Sequence, residues 1–192
     1  RRAKRRIPHF AWEYLDSAAG DETAHRLNRT GLCSLRLMPR VLVPPQAPDL
    51  GTEFLGRRLV HPFGISPVGM SGMIWPGAER MLAGHAADQG FPYCLSTVAT
   101  VTPEDLAGVI GDQGWFQLYP PKDPEIRRDM LKRAADAGFH TLVLTVDVPV
   151  PSRRERQRRA RLSNPMKLSL PVLWQAAIRP EWALRTLSRG MP

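Results

Sequence analysis

Short apolar runs alternate with amphipathic stretches between Pro62 and Val146, and this alternation constrains the fold more than any other feature of the sequence. The apolar runs predict strands, and they are residues 63–67, 91–97, 115–119 and 141–146. The last run is β-branched or apolar throughout, so it predicts a strand that is apolar on both faces. Such strands, alternating with helices, generally pair in parallel with helices outside. The sequence therefore predicts an α/β fold, either an open doubly wound sheet or a (β/α)8 barrel.

The intervening helices carry clear start and stop signals. Thr102 precedes a proline and two acidic residues, a pattern typical of a helix N-terminus. Asp123, followed by proline, repeats this signal. The helix predicted over residues 78–89 ends at Gly90, and the one after Asp123 ends at Gly138.

Polar side chains at the carboxyl ends of all four runs favour the barrel over the open sheet. They are Ser66, Ser96 with Thr97, Gln117 with Tyr119, and Thr145 with Asp147. In a barrel these ends form the active-site face, and no Gly-x-Gly-x-x-Gly follows the first strand, as dinucleotide binding would need.

Four units are half of a barrel, which typically takes about 250 residues. The sequence predicts an N-terminal helical segment (1–60), the first four barrel units (61–150) and a basic segment (151–192).

The net charge of +9 resides at the two ends of the chain. Five of the first six residues are basic, and after residue 150 ten Lys or Arg face two Glu, whereas the middle has 12 basic and 16 acidic residues. A nucleic-acid partner is not expected, because the Arg-rich run 153–161 lacks interleaved aromatic residues. Since Trp174 and Trp182 lie among basic residues, residues 153–187 are either a solvated face or a peripheral contact with an anionic membrane.

Cysteine usage and hydropathy point to a cytoplasmic location, with the inner face of the cell membrane as the alternative if the basic tail is peripheral. Cys33 and Cys94 are far apart and in no metal-ligand spacing, so we expect two half-buried thiols, no metal site and a reducing compartment. No apolar run reaches the roughly 20 residues of a membrane-spanning helix. The chain starts at Arg1 without Met, so its native start is expected upstream.

Several short motifs, none specific alone, follow one another along the chain. They are residues 7–22 with Asn28-Arg29, then 37–42, 65–70, 95–97, 116–119, and 144–149 followed by 153–155. In this order and spacing they resemble the FMN-dependent α-hydroxy-acid oxidase and dehydrogenase family, which includes flavin-type L-lactate dehydrogenase, mandelate dehydrogenase and glycolate oxidase. The resemblance implies a TIM (β/α)8 barrel with FMN across its carboxyl-terminal face.

By this resemblance, two groups of residues contact the flavin. The backbone of Pro67, Val68 and Gly69 approaches one face of the ring, which a residue as small as glycine permits. Ser96, Gln117 and Thr145 hydrogen-bond the polar edge of the ring, whose charge changes on reduction.

The resemblance also assigns the substrate-binding residues. Arg154 would bind the carboxylate as a fork, and Tyr14 would add a hydrogen bond to it. Tyr119, the catalytic residue predicted in this chain, would bond the hydroxyl or developing carbonyl oxygen. The implied reaction is oxidation of a small L-2-hydroxy acid, lactate- or mandelate-like, to the 2-oxo acid. Electrons would pass from FMN to a quinone, a cytochrome or oxygen, and the complete enzyme is expected to be a homo-oligomer.

Departures from the family pattern limit what this chain is expected to do alone. Val98 stands where oxidases often have a bulky aromatic residue, and Ser152 where many members have glycine. The family's catalytic base is a histidine in Ser-x-His-Gly-Gly-Arg, and none of the five histidines here precedes Gly-Gly. We therefore expect an inactive N-terminal half with weak or no FMN affinity and an exposed strand edge prone to aggregation. The alternative is a half-barrel that acts only as a binding or structural module.

Overall fold

The computed structural model describes residues 2–42, 44, 47–147, 150, 152–162 and 169–189. Val148 and Pro149 of the fourth-strand motif, Pro151, and residues 163–168 of the basic tail lie outside the described residues. The helices are α1 Arg2–Arg6, α2 His9–Asp16, α3 Thr23–Ser34, α4 Ser71–Ile74, α5 Ala78–Gln89, α6 Pro103–Ile110, α7 Pro124–Asp136, α8 Glu155–Arg159, α9 Leu170–Ala177 and α10 Pro180–Arg189. The strands are β1 Thr52–Phe54, β2 Arg57–Leu59, β3 Tyr93–Ser96, β4 Gly114–Leu118 and β5 Thr141–Leu144.

The chain divides into two compact units. The helical unit comprises Arg1–Asp49 with Val150–Ile178, and the sheet unit comprises Leu50–Pro149 with Arg179–Pro192. The predicted flavin-contacting residues therefore belong to the sheet unit, and Tyr14 and Arg154 belong to the helical unit.

A parallel sheet in the order β3-β4-β5 forms the centre of the sheet unit, as the alternation of runs predicts. The first predicted strand, residues 63–67, is wrong in extent: it contributes one parallel bridge, between Ile65 and Tyr93. The Ile65 N–H donates to the Pro92 carbonyl at 2.8 Å, and the Cys94 N–H donates to the Ile65 carbonyl at 2.9 Å. Prolines at 62 and 67 lack the N–H groups that a longer ladder would need.

The strand predicted over residues 141–146 is shorter in the structure, and its apolar side chains are only partly buried. β5 ends at Leu144, and Leu142 and Leu144 are 50% and 52% exposed. β5 pairs with β4 along one side and is an edge of the sheet within the described residues. Its apolar side chains therefore keep a solvent-facing surface here.

Helices α5, α6 and α7 cover one face of the sheet and enclose the core. Buried side chains from both layers meet there: Ala83, Ala86, Tyr93, Leu95, Leu106, Ile110, Phe116, Leu118, Ala134 and Phe139. The predicted helix starts are confirmed, because Thr102 and Asp105 form a reciprocal capping box and the Asp123 carboxylate accepts from the Glu125 N–H. Arg133 on α7 binds Glu104 on α6 through two hydrogen bonds, which lower the pKa of Glu104 to about 2.

The β1–β2 hairpin and helix α4 are elements that the sequence did not predict. The hairpin turns through Leu55 and Gly56, both at positive φ, and lacks the Asn-Gly or Asp-Gly signal usual for such turns. The Phe54 ring stacks on Trp115 of β4 with ring centroids 5.8 Å apart, so the hairpin packs near the amino end of that strand.

The helical unit contains α1, α2, α3, α8 and α9, and its core includes Phe10, Ala11 and Val172. The Phe10 N–H donates to Gln175 Oε1 at 2.9 Å, which joins α2 to α9. The prediction of two half-buried thiols is wrong: Cys33 is exposed on α3, whereas Cys94 is buried on β3, where burial raises the pKa of its thiol to about 12. Among the described residues, no helix has the length and apolar character to span a bilayer.

Candidate functional site

The sheet face opposite the helices changes from apolar to polar toward the carboxyl ends of the strands. Because side chains alternate along a strand, Cys94, Trp115 and Val143 share this face, and they line an apolar cavity of about 450 Å³. Two residues further along each strand, the same face carries Ser96, Gln117 and Thr145. Strand register thus places a polar row at the carboxyl edge.

The polar row is a continuous hydrogen-bonded chain across three adjacent strands. The Ser96 hydroxyl donates to Gln117 Oε1 at 2.9 Å, and Gln117 Nε2 donates to Thr145 Oγ1 at 2.8 Å. Ser96 and Gln117 are buried, and Thr145 is half-buried. The structure therefore brings together the three residues predicted to bind the polar edge of a flavin.

Thr97 connects the polar row to Tyr119. The Thr97 N–H donates to the Gln117 carbonyl at 2.9 Å, and its hydroxyl accepts from the Tyr119 N–H at 3.0 Å. Tyr119 follows β4 and is 42% exposed. Its backbone is thus fixed to the loop after β3, with the phenol side chain accessible.

The predicted flavin-facing segment Pro67–Gly69 leaves the sheet just after the Ile65 bridge. Pro67 and Val68 are exposed, and Gly69 is half-buried. The Met70 N–H donates to the Val98 carbonyl at 2.8 Å, so the segment is held to the β3 side at both of its ends.

Glu79 is a buried carboxylate beside these loops that the sequence reasoning missed. Its side chain is fully buried in the first turn of α5, and its Oε1 accepts from the N–H groups of Gly72 at 2.9 Å and Thr100 at 3.1 Å and from the Thr100 hydroxyl at 2.7 Å. Burial acts to raise the pKa of Glu79, but these hydrogen bonds outweigh it and hold the pKa below its usual value. An acidic residue in a first turn was the sequence signal available, and it did not reveal the burial.

In the helical unit, Arg156 joins the segments that carry Tyr14 and Arg154. Its guanidinium contacts Glu13 at 2.5 Å, Asp16 at 2.7 Å and Glu22 at 3.0 Å, and the bond to Glu13 contributes most to raising the pKa of Arg156. α8 is thereby tied to α2. Tyr14 adjoins Glu13 on α2 and is half-buried.

Arg154 immediately precedes α8 and is also half-buried. Its Nε donates to Ser152 Oγ at 3.4 Å, so the serine that departs from the family pattern contacts the predicted carboxylate-binding residue.

The sequence profile of the family described as FMN-dependent dehydrogenase matches residues 3–191. The chain is 38% identical over 190 residues to an L-lactate dehydrogenase of Pseudomonas syringae pv. syringae (strain B728a), covering 99% of this chain and 50% of that protein. It is 36% identical over 189 residues to an (S)-mandelate dehydrogenase of Pseudomonas putida, covering 98% of this chain and 48% of that protein. The crystal structure of the monotopic membrane protein (S)-mandelate dehydrogenase superposes with a TM-score of 0.90 at 36% identity, covering 99% of this chain and 51% of that one.

The chain spans about half the length of the relatives it matches. The structural match confirms the predicted fold class, a (β/α)8 barrel of the hydroxy-acid dehydrogenase type present in part, here as a three-stranded parallel sheet with its helices. With a profile match over residues 3–191 and a polar row at the carboxyl ends of parallel strands, this chain belongs to the FMN-dependent dehydrogenase family.

Proposed function

We propose that the protein containing this chain binds FMN and oxidises a small L-2-hydroxy acid, lactate- or mandelate-like, to the 2-oxo acid. The observation that carries the proposal is the hydrogen-bonded row Ser96–Gln117–Thr145 at the carboxyl edge of the sheet, in a member of the FMN-dependent dehydrogenase family. Relatives named L-lactate dehydrogenase and (S)-mandelate dehydrogenase support the substrate class.

The residues of the polar row fit the edge of a flavin chemically. Gln117 Nε2 carries two protons and uses one of them on Thr145, so the other can be donated to a ligand. Thr145 accepts that bond, which leaves its own hydroxyl proton to donate. Neutral groups of this kind tolerate a change of charge on the ring, and FMN, when bound, supplies the two-electron acceptor.

The family resemblance assigns three residues of this chain to the substrate. Arg154 would bind the carboxylate through two parallel N–H···O bonds, with Tyr14 adding a third. Tyr119 would donate to the substrate hydroxyl oxygen and orient it. None of the five histidines here precedes Gly-Gly, so we assign the family's proton-removing role to no residue of this chain.

The test is flavin binding and reduction by protein expressed from its full coding region. We expect that protein to bind FMN and to lose its visible flavin absorption on anaerobic mixing with L-lactate or (S)-mandelate. Gln117→Leu removes the middle of the polar row, which takes the acceptor from the Ser96 hydroxyl and the amide donor from Thr145, so the FMN dissociation constant should rise about tenfold, the equivalent of one net hydrogen bond. Quenching of FMN fluorescence on titration measures it.

Gln113→Leu is the matched control, because Gln113 is half-buried just before the amino end of β4, away from the polar row. It should bind FMN as the wild type does. Equal affinity in both variants would contradict the assigned role of Gln117. Absence of flavin from the wild-type protein would favour the inactive half-barrel.

We also propose that α9 makes a peripheral contact with an anionic membrane, which narrows the expectation for residues 153–187 to this helix. The expectation that Trp182 shares in such a contact is wrong: it is buried, and its Nε1 donates to the Met73 carbonyl at 3.1 Å. α9 instead exposes Leu170 (83%) and Trp174 (68%). The structurally similar mandelate dehydrogenase, described as a monotopic membrane protein, supports the proposal.

Sedimentation with vesicles tests this contact. At low salt we expect co-sedimentation with anionic vesicles and much less with neutral ones. Binding of this kind needs both the attraction of basic residues to anionic lipid and the burial of an apolar helix face in the membrane interface. Leu170→Gln should reduce the bound fraction severalfold, because each buried CH₂ is worth about 0.8 kcal/mol. Leu32→Gln, at a leucine on α3 that is 71% exposed, is the matched control. The same loss in both variants would argue against a contact through α9.

A further inference from the structure

Glu79 connects two loops, one that follows the Ile65 bridge and one that follows the adjacent strand β3. One loop runs from the Ile65 bridge into the first turn of α4 at Gly72, and the other from the end of β3 to Thr100. The Glu79 carboxylate accepts one hydrogen bond from the first loop and two from the second, all at 3.1 Å or less. A single buried oxygen thus fixes the spacing of both backbones.

The two loops approach too closely at position 72 for a residue with a side chain. A Cβ added at Gly72 would lie 1.9 Å from Thr100 Oγ1 and 3.0 Å from Glu79 Oε2. Close backbone approach therefore requires glycine at position 72. The carboxylate, the glycine and the threonine form one interlocked contact.

Charge makes this contact strong. Hydrogen bonds to an ionised acceptor are about twice as strong as neutral ones, and the first turn of a helix such as α5 favours a negative charge. Within the described residues, Glu79 Oε2 is buried without a hydrogen-bond partner. Burying a carboxylate in this way is costly unless its other oxygen is well satisfied, so the three donors are needed together.

The first loop contains Pro67–Gly69, the backbone assigned above to the face of the flavin. Its upstream end is fixed to β3 through Ile65, and its downstream end through the Met70–Val98 bond and the Glu79–Gly72 bond. Loss of the carboxylate contacts would leave the Met70–Val98 bond in place but would remove the second attachment of the downstream end, at Gly72. The exposed backbone between the two ends would then lose its preorganised position, and ordering it again costs binding energy.

We propose that Glu79 is a positioning residue for the flavin site, which holds the loop 66–72 against the loop 97–100 so that the backbone of Pro67–Gly69 is preformed to meet the ring. This inference rests on the proposed function, since it takes residues 67–69 to face FMN. Glu79 itself is not assigned any contact with flavin or substrate.

The test uses three variants of the full-length protein and two readouts other than turnover. Glu79→Gln removes the negative charge. Thr100→Val replaces the hydroxyl donor with a methyl group in a side chain of equal shape, whereas Thr100→Ser keeps the hydroxyl donor. Hydrogen exchange in the flavin-free protein should become faster in peptides covering 66–72 and 97–100 for the first two variants. Their FMN dissociation constants should rise roughly tenfold, as expected for losing one bond to a charged acceptor. Thr100→Ser should behave as the wild type does.

Thr141→Val is the matched control, because Thr141 is a half-buried threonine at the amino end of β5 whose hydroxyl is also hydrogen-bonded. Faster exchange across the whole sheet unit, equal in Thr100→Val and Thr141→Val, would show a merely structural role and overturn the proposal. Wild-type loop exchange and FMN affinity in both Glu79→Gln and Thr100→Val would overturn it as well. If wild-type protein binds no FMN, the proposed function fails, whereas loop exchange still reports whether Glu79 orders the segment.

Discussion

Replacing Arg154 with lysine should lower kcat/KM for an L-2-hydroxy acid about a hundredfold while FMN remains bound, a loss of roughly 2.7 kcal/mol in transition-state binding. The half-buried guanidinium uses Nε on Ser152, and its two terminal nitrogens can meet a carboxylate as a fork. Lysine keeps the positive charge but offers a single point donor on a flexible stem, so it cannot hold the carboxylate in a fixed orientation. Orientation errors of this kind are costly in a reaction that needs aligned atoms.

Arg153→Lys is the control for this prediction, since Arg153 is exposed and forms an ion pair with Glu155 at 2.5 Å. Steady-state kinetics with L-lactate and (S)-mandelate, together with flavin content from absorbance, would separate the two variants. We expect Arg153→Lys to stay within about twofold of the wild type, as exposed ion pairs contribute little. Loss of flavin from Arg154→Lys, or equal effects of both substitutions, would show that Arg154 has a different role.

The polar row could be predicted from sequence because it depends on two local rules. Parallel strands align their carboxyl ends, and side chains of one strand alternate between its faces. Once three apolar runs are identified, Ser96, Gln117 and Thr145 must approach one another at that edge. Helix capping at Thr102 and Asp123 was similarly predictable, because each cap involves residues only two or three positions away.

Features that depend on distant pairing were not predictable in the same way. The Arg-rich run 153–161 suggested a solvated face or a membrane contact, yet Arg156 within it binds Glu13, which is 143 residues away. Trp182 looked like a membrane-facing residue and is instead buried against Met73. The residue types in a local stretch of sequence do not determine which charged or aromatic side chain contacts another, because those contacts depend on tertiary packing.

The first predicted strand shows the limit of reading apolar runs. Residues 63–67 have strand-like composition, but prolines at 62 and 67 restrict pairing to the single bridge at Ile65. The shortened strand has a functional consequence within the proposed site. Segment Pro67–Gly69 leaves the sheet early, so its backbone is accessible as a loop. In a longer strand the same N–H and C=O groups would be hydrogen-bonded to the neighbouring strand.

Arg156→Leu should destabilise the helical unit by about 3 kcal/mol, the lower end of the cost of breaking a buried ion pair. Glu13 has a side chain only 8% exposed, whereas Arg156 is 34% exposed and Asp16 is 43% exposed, so most of the cost arises from leaving the Glu13 carboxylate buried without its cation. Hydrogen exchange of the α2 amides measures the local free energy of opening and avoids assuming that both units unfold together. Arg158→Leu, at an exposed arginine paired with Glu155 at 3.5 Å, should change it by no more than about 0.5 kcal/mol.

The double variant Glu13→Leu with Arg156→Leu decides whether the orphaned charge is the cause. If it is, removing both partners should recover a large part of the lost stability, because replacing a buried pair with apolar residues is often close to neutral. Additive losses in the double variant would instead mean that the remaining contacts of Arg156, with Asp16 and Glu22, carry the stabilisation. Recovery of α2 protection without recovery of turnover would separate two roles of this arginine. It would stabilise the helical unit through Glu13, and it would hold α8, and with it Arg154, to α2 through Asp16 and to the start of α3 through Glu22.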